Sequence, residues 1–165
     1  MRRLLSVLVV LLVTCGPVAA QTPATGEEGG PSLPLGLRAG YTSWESWSQM
    51  HFGVHAKLGD IFPNVQLTPN LELGFGDDLT LIMLNGDLSY RFTELVSRPW
   101  EFYGGGSLSL AYINPGPADA DMQLGLSLLA GLGKTLAGGD EIMVETRFGI
   151  LDSPGFKLTF GYTFF

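Results

Sequence analysis

Cysteine and long apolar runs are both nearly missing from this sequence of 165 residues. Cys15 is the only cysteine, so no disulfide can form within one chain and stability must come from elsewhere. The apolar run 4–13 is too short to cross a bilayer as a helix, and no later segment is long and apolar enough. These absences exclude a disulfide scaffold and a helical membrane protein.

Basic residues are also scarce. Nine Lys and Arg face 16 Asp and Glu, and without residues 1–20 only seven basic residues remain against the same 16 acids. Such an acidic surface repels phosphate backbones, which excludes nucleic acid as a partner. The glycine-rich segments lack the context of a phosphate-binding loop, and we expect no cofactor.

The first 20 residues have the features of an export signal. Arg2 and Arg3 precede the apolar run, and Val18-Ala19-Ala20 supplies small residues before a cleavage point at Gln21. The stretch 12–15 loosely resembles a lipoprotein processing box in which Cys15 would be lipidated, but Thr14 fits that box poorly. We therefore predict a signal peptide at 1–20, a flexible tail at 21–34 and one folded domain at 35–165.

The predicted domain repeats a strand of about ten residues followed by a turn signal, a pattern typical of membrane barrels. Asp, Asn, Pro and Gly concentrate in the connections between strands, as turns require. The eight predicted strands are 35–44, 50–59, 67–76, 79–92, 100–113, 121–134, 141–151 and 156–165. The fold class that follows is all-β, an eight-stranded antiparallel transmembrane β-barrel.

Alternation is clearest in the last predicted strand, where Phe156, Leu158, Phe160, Tyr162 and Phe164 alternate with Lys, Thr and Gly. A period of two gives a strand one apolar face and one polar face. Charge decides which face points outward. The polar faces carry both signs, as an enclosed interior requires, whereas the apolar faces carry almost no charge. The predicted lumenal charge network consists of Arg38, His51, His55, Lys57, Glu72, Asp87, Arg91, Glu101, Glu145, Arg147 and Lys157.

Aromatic residues gather near the strand ends, and aliphatic residues fill the middles. One end carries Tyr90, Phe92, Trp100, Phe102, Tyr162 and Phe164; the other carries Phe52, Phe75, Tyr112 and Phe156, with Trp44 and Trp47 nearby. Two aromatic belts around an aliphatic waist are typical of a bilayer and its two interfaces.

Three segments carry a resemblance to a known family: 69–78, 85–92 and 157–165. They resemble small outer-membrane β-barrel domain proteins, similar in build to OmpX and to the transmembrane part of OmpA. The resemblance implies location in the outer membrane, contact with its lipids, the barrel-assembly machinery as a partner, and a monomer. It also implies an assembly signal at Phe160, Tyr162, Phe164 and Phe165. Phe165 lies one position out of phase with the other aromatics, so recognition would have to tolerate a shifted register.

Two other functions remain open. His51 and His55 could serve a metal site or, with a serine and an acid, a lipid-modifying enzyme, although packing in a filled lumen is favoured. The charged lumenal residues could instead line a narrow, porin-like path, but mixed signs at similar depth favour pairing and closure. The connections predicted to lie on the outer side of the membrane are short, which argues against a large protein partner at the cell surface. We expect no catalysis and a structural or accessory role in the outer membrane.

Overall fold

The computed structural model describes residues 33–44, 47–76, 79–114 and 121–165, and they fold as an antiparallel barrel. The predicted signal peptide and nearly all of the predicted tail lie outside these residues. The strands are β1 (Leu35–Trp44), β2 (Trp47–Ala56), β3 (Asp60–Phe62), β4 (Val65–Gly76), β5 (Leu79–Arg91), β6 (Trp100–Asn114), β7 (Asp121–Thr135), β8 (Glu141–Leu151) and β9 (Phe156–Phe164).

Eight long strands close the barrel, and the short β3 pairs with the start of β4. Each long strand pairs with its neighbour along the chain, β2 pairs with β4, and β9 pairs with β1 to complete the circle. The eight-stranded barrel predicted from the sequence is therefore confirmed. Leu35 and Phe164 are partners at the same rim, which we call the terminal end; the rim at Trp44 and Trp47 is the distal end.

The boundary of the second strand was predicted wrongly. β2 begins at Trp47, not at residue 50, because Trp44 and Trp47 are cross-strand partners around a two-residue connection. The predicted connection 60–66 also contains β3, which pairs with the start of β4 through Asp60 and Gln66.

The two faces of the wall differ as the period-two pattern requires. Outward positions carry exposed apolar side chains such as Val54, Leu84 and Val144, whereas inward positions are mostly polar and buried. Lipid contact explains an outward face that no soluble domain of this size would leave uncovered. No helix among the described residues is long and apolar enough to cross a membrane.

Candidate functional site

The middle of the lumen holds a chain of charges that alternate in sign. Its members come from β1, β4, β5, β8 and β9, and we call it the central chain. In order of contact, the central chain runs Lys157, Glu72, Arg38, Asp87, Arg147, Glu145. Three cations and three carboxylates are in contact, so the formal charges of the central chain sum to zero.

Arg38 lies between two carboxylates of the central chain. Its Nη1 is 3.2 Å from Glu72 Oε1 and 3.7 Å from Asp87 Oδ2. Glu72 also pairs with the Lys157 ammonium. These side chains are 1–3% exposed, so each charge depends on its partners rather than on water.

Arg147 lies between Asp87 and Glu145, the last two carboxylates of the central chain. Its Nη2 pairs with Asp87, and its Nε donates to Glu145 Oε1 at 2.8 Å. Its Nη1 also donates to Ser107 Oγ at 3.2 Å, and Ser107 donates in turn to Asp87 at 2.6 Å. Arg147 therefore has contacts at all three guanidinium nitrogens.

Uncharged polar side chains also bond the central chain, and none of them was predicted as a site residue. Asn70 Nδ2 donates to Asp87 at 2.7 Å, Asn85 Nδ2 donates to Asn70 at 2.8 Å, and the Tyr103 hydroxyl donates to Glu145 at 3.1 Å. Their inward orientation could have been predicted, since each lies two residues from a predicted lumenal charge on the same strand. Buried carboxylates need several donors, and these residues supply them.

The two histidines bond threonines instead of joining the ion pairs. His51 Nδ1 lies 2.9 Å from Thr42 Oγ1, and His51 Nε2 lies 3.1 Å from Thr159 Oγ1. His55 Nε2 lies 2.8 Å from Thr163 Oγ1. Both imidazoles are buried inside the barrel, away from the lipid face.

Inward-facing glycines make room for these rings. A Cβ atom at Gly36 would lie 2.3 Å from a ring carbon of His55, and one at Gly40 would lie 2.8 Å from a ring carbon of His51. Glycine on the lumen side thus lets the imidazoles lie against the wall. Within the described residues, no group of three or more His, Cys, Asp or Glu is arranged to hold a metal ion.

Three of the predicted network residues lie at the terminal mouth of the lumen. Lys57 Nζ pairs with Glu141 at 2.5 Å, whereas Arg91 pairs with Asp60 and lies 3.7 Å from Glu101. Asp60 and Glu141 are not among the predicted network residues. Asp60 falls in a segment predicted as a connection, but Glu141 has the same parity as Glu145 and could have been found.

The distal end of the lumen is closed by apolar side chains. Trp44, Leu81, Met83 and Ala111 are buried there in one cluster, with Trp47 packed against it. We call this cluster the distal plug. Trp44 and Trp47 were predicted to lie near one of the two aromatic belts, but Trp44 shares the inward parity of Arg38 and Thr42. This inward tryptophan is why alternation of polarity fails at the end of the first strand.

The residues of the predicted assembly signal lie along and just beyond β9. Phe160 and Phe164 are exposed on the outward face, and Tyr162 shares that face. Phe165 follows the strand; its ring is exposed, and its centroid is 6.0 Å from Lys57 Nζ.

Asp140, in the turn between β7 and β8, fastens this end of the chain. It accepts a hydrogen bond from the Tyr162 hydroxyl at 2.6 Å and another from the Phe165 backbone N–H at 3.2 Å. These bonds, chiefly the one from Tyr162, lower the pKa of the Asp140 carboxyl below its ordinary value.

Comparison with solved structures identifies the same architecture in other proteins. Neisserial surface protein A (NspA) superimposes with a TM-score of 0.63 at 14% identity, over 79% of this chain and 94% of that one. The N-terminal β-barrel domain of Pseudomonas aeruginosa OprF gives 0.53 at 14% identity, over 79% and 97%. The fold is that of a small outer-membrane barrel.

The likeness stops at the fold. The outer membrane enzyme PagL also matches, with a TM-score of 0.49 at 11% identity over 79% of this chain and 97% of that one, too remote to bear on activity. No protein-family model and no curated protein sequence matches the chain. The role of this barrel must therefore be argued from its own lumen.

Proposed function

We propose that this protein is an outer-membrane barrel with a closed, ion-paired lumen and a structural or accessory role without catalysis. The observation that carries the proposal is the central chain. Three cations and three carboxylates form one continuous set of contacts, and their side chains are at most 4% exposed. A selective pore favours a ring of one sign, whereas alternating signs at contact distance close the passage.

The ends of the lumen support the same proposal. The distal plug fills one end with apolar side chains, and ion pairs of Lys57 and Arg91 lie at the other. A cavity beside the central chain has a volume of about 20 Å³, room for one water molecule rather than a hydrated ion. An eight-stranded barrel is just wide enough to be filled by side chains.

Recording from planar lipid bilayers tests the closed lumen. The folded barrel is expected to insert without producing current steps. A matched variant, Asp87→Ser with Arg147→Ser, removes one charge of each sign from the central chain and serves as the opened control. Stable current steps from the unaltered protein would contradict a closed lumen, and the proposal would give way to a narrow pore.

The proposed place of the protein is the outer membrane, with the terminal end in the periplasm and the first 20 residues removed on export. Its proposed partners are the membrane lipids and the barrel-assembly machinery, and the barrel acts as a monomer. The membrane fraction should retain the protein after urea or carbonate washing, and boiling should change its gel mobility. Release by either wash would contradict the assignment.

Catalysis on lipids is the rival function from another class. The threonine bonds and burial of both histidines disfavour it, since neither ring faces a position that a lipid ester could reach from the bilayer. Cells that express His51→Ala with His55→Ala should have the same lipid composition as cells with the unaltered barrel. A lipid product that disappears with the histidines, while the barrel still folds, would establish the enzyme instead.

A further inference from the structure

Two buried nitrogen atoms next to the central chain have no partner among the described residues. Arg38 Nε and His55 Nδ1 make no hydrogen bond there, although Arg38 bonds Glu72 through Nη1 and His55 bonds Thr163 through Nε2. The two residues are only 3% and 2% exposed. Buried polar groups are normally satisfied by protein or by ordered water, so this pair calls for an occupant.

Both residues line the same small cavity. Its volume of about 20 Å³ exceeds the roughly 10–15 Å³ that one water molecule needs. Asp87, Tyr103 and Glu145 also line it, together with Ser89. The space is therefore polar on several sides, which is the condition under which an internal cavity is hydrated rather than empty.

Charges of both signs line the cavity, Lys57 and Glu101 among them, and together they favour a neutral occupant. A cation would meet the Arg38 N–H, and an anion would meet the carboxylates of Asp87 and Glu145. His55 adds a second restriction, because its Nδ1 is a donor or an acceptor according to what Thr163 does at Nε2. Water is neutral, fits the volume, and can donate to or accept from either form of the ring.

We infer that this cavity is a binding site for one water molecule, which accepts from Arg38 Nε–H and bonds His55 Nδ1. The water joins the central chain to the histidine and threonine contacts of the wall, and it deepens the proposed closed lumen, on which it rests. Because the distal plug is apolar, the water exchanges with solvent through the terminal end, past Lys57 and Glu141.

Magnetisation transfer from water to arginine side chains tests the site. With ¹⁵N-labelled arginine and the barrel in nanodiscs, the Arg38 Nε–H is expected to show a cross-peak with water. Arg147 Nε–H is the internal control, since it donates to Glu145 at 2.8 Å and should show none. Absence of the Arg38 peak, or equal peaks for both arginines, would overturn the inference.

Matched variants separate this cavity from general hydration of the lumen. Ser89→Val narrows the cavity and should remove the Arg38 peak, whereas Ser109→Val alters another buried inward serine that does not line it and should leave the peak. If Ser89→Val fails to fold, His55→Phe removes one water partner while keeping a ring, and the peak should weaken. Loss of the peak in Ser109→Val, or its persistence in the cavity variant that folds, would contradict the site.

Bilayer recordings on the same samples keep the two proposals distinct. Current steps together with a normal Arg38 peak would contradict the closed lumen and leave the water site. A silent barrel without that peak would contradict the water site and leave the closed lumen.

Discussion

Among substitutions that replace a lumenal charge by an uncharged side chain, Arg147→Met should destabilise this barrel the most. It preserves length and removes the guanidinium that pairs with Asp87 and Glu145, leaving two carboxylates at most 4% exposed. Removing one partner from a buried ion pair costs about 3–5 kcal/mol, because the remaining charge is left without solvent. Glu145 would lose its cation, and Asp87 would keep only Arg38, at 3.7 Å. Unfolding by guanidinium in detergent micelles, followed by tryptophan fluorescence and by gel mobility, measures the loss.

Two companion variants make that measurement specific. Arg91→Met removes a cation at the terminal mouth, where the side chain is 25% exposed, and should cost about 0–1 kcal/mol. Adding Asp87→Asn to Arg147→Met restores neutrality in the central chain and should recover part of the loss. The reasoning fails if Arg147→Met costs no more than Arg91→Met, or if the second change makes matters worse.

Three further outcomes can be checked. Val144→Arg puts a charge on the lipid face and should block assembly, as judged by heat-dependent gel mobility, whereas Thr159→Ser keeps a lumenal hydroxyl and should assemble normally; equal damage would mean that the faces are reversed. Gly131→Ala puts a Cβ 2.3 Å from a buried tyrosine ring and should cost about 1–3 kcal/mol on unfolding, whereas Gly138→Ala meets open space and should cost much less. Because its folded pKa is lowered, Asp140 should keep its contacts at pH of about 4, where a free aspartate titrates, and lose them only as pH falls further; amide chemical shifts during titration would show the break, and a break above pH 4 would be contrary evidence.

Strand positions could be predicted well where alternation and turn residues agree. The predicted limits 35–44 and 141–151 match β1 and β8. The prediction failed at the start of β2 because Trp44 and Trp47 occupy the end of the lumen, where apolar side chains close the barrel. The polarity of a residue predicts whether its side chain points into the lumen or outward only along the middle of such a strand.

The sequence indicates which face a charge occupies but says little about its depth. Lys157 and Glu72 are 85 positions apart, and their contact depends on the stagger accumulated by the pairings between their strands. His51 and Arg38 have the same facing, yet one bonds threonines and the other bonds carboxylates. Partner identity therefore requires the closed barrel, because a local pattern contains no information on stagger.

The central chain also favours one register between β1 and β9, the pair of strands that closes the barrel. Arg38 stands on β1 and Lys157 on β9, the two strands that meet last along the circle, and both bind Glu72 from β4. A slip of two residues between β1 and β9 would preserve the facing of every side chain but displace Lys157 by about 7 Å relative to Arg38. Arg38 and Lys157 could then not both keep their contacts with Glu72. Lipid contacts alone tolerate such a slip, since one apolar residue replaces another, so the buried charges and the histidine–threonine bonds to β9 favour the correct register over its neighbours.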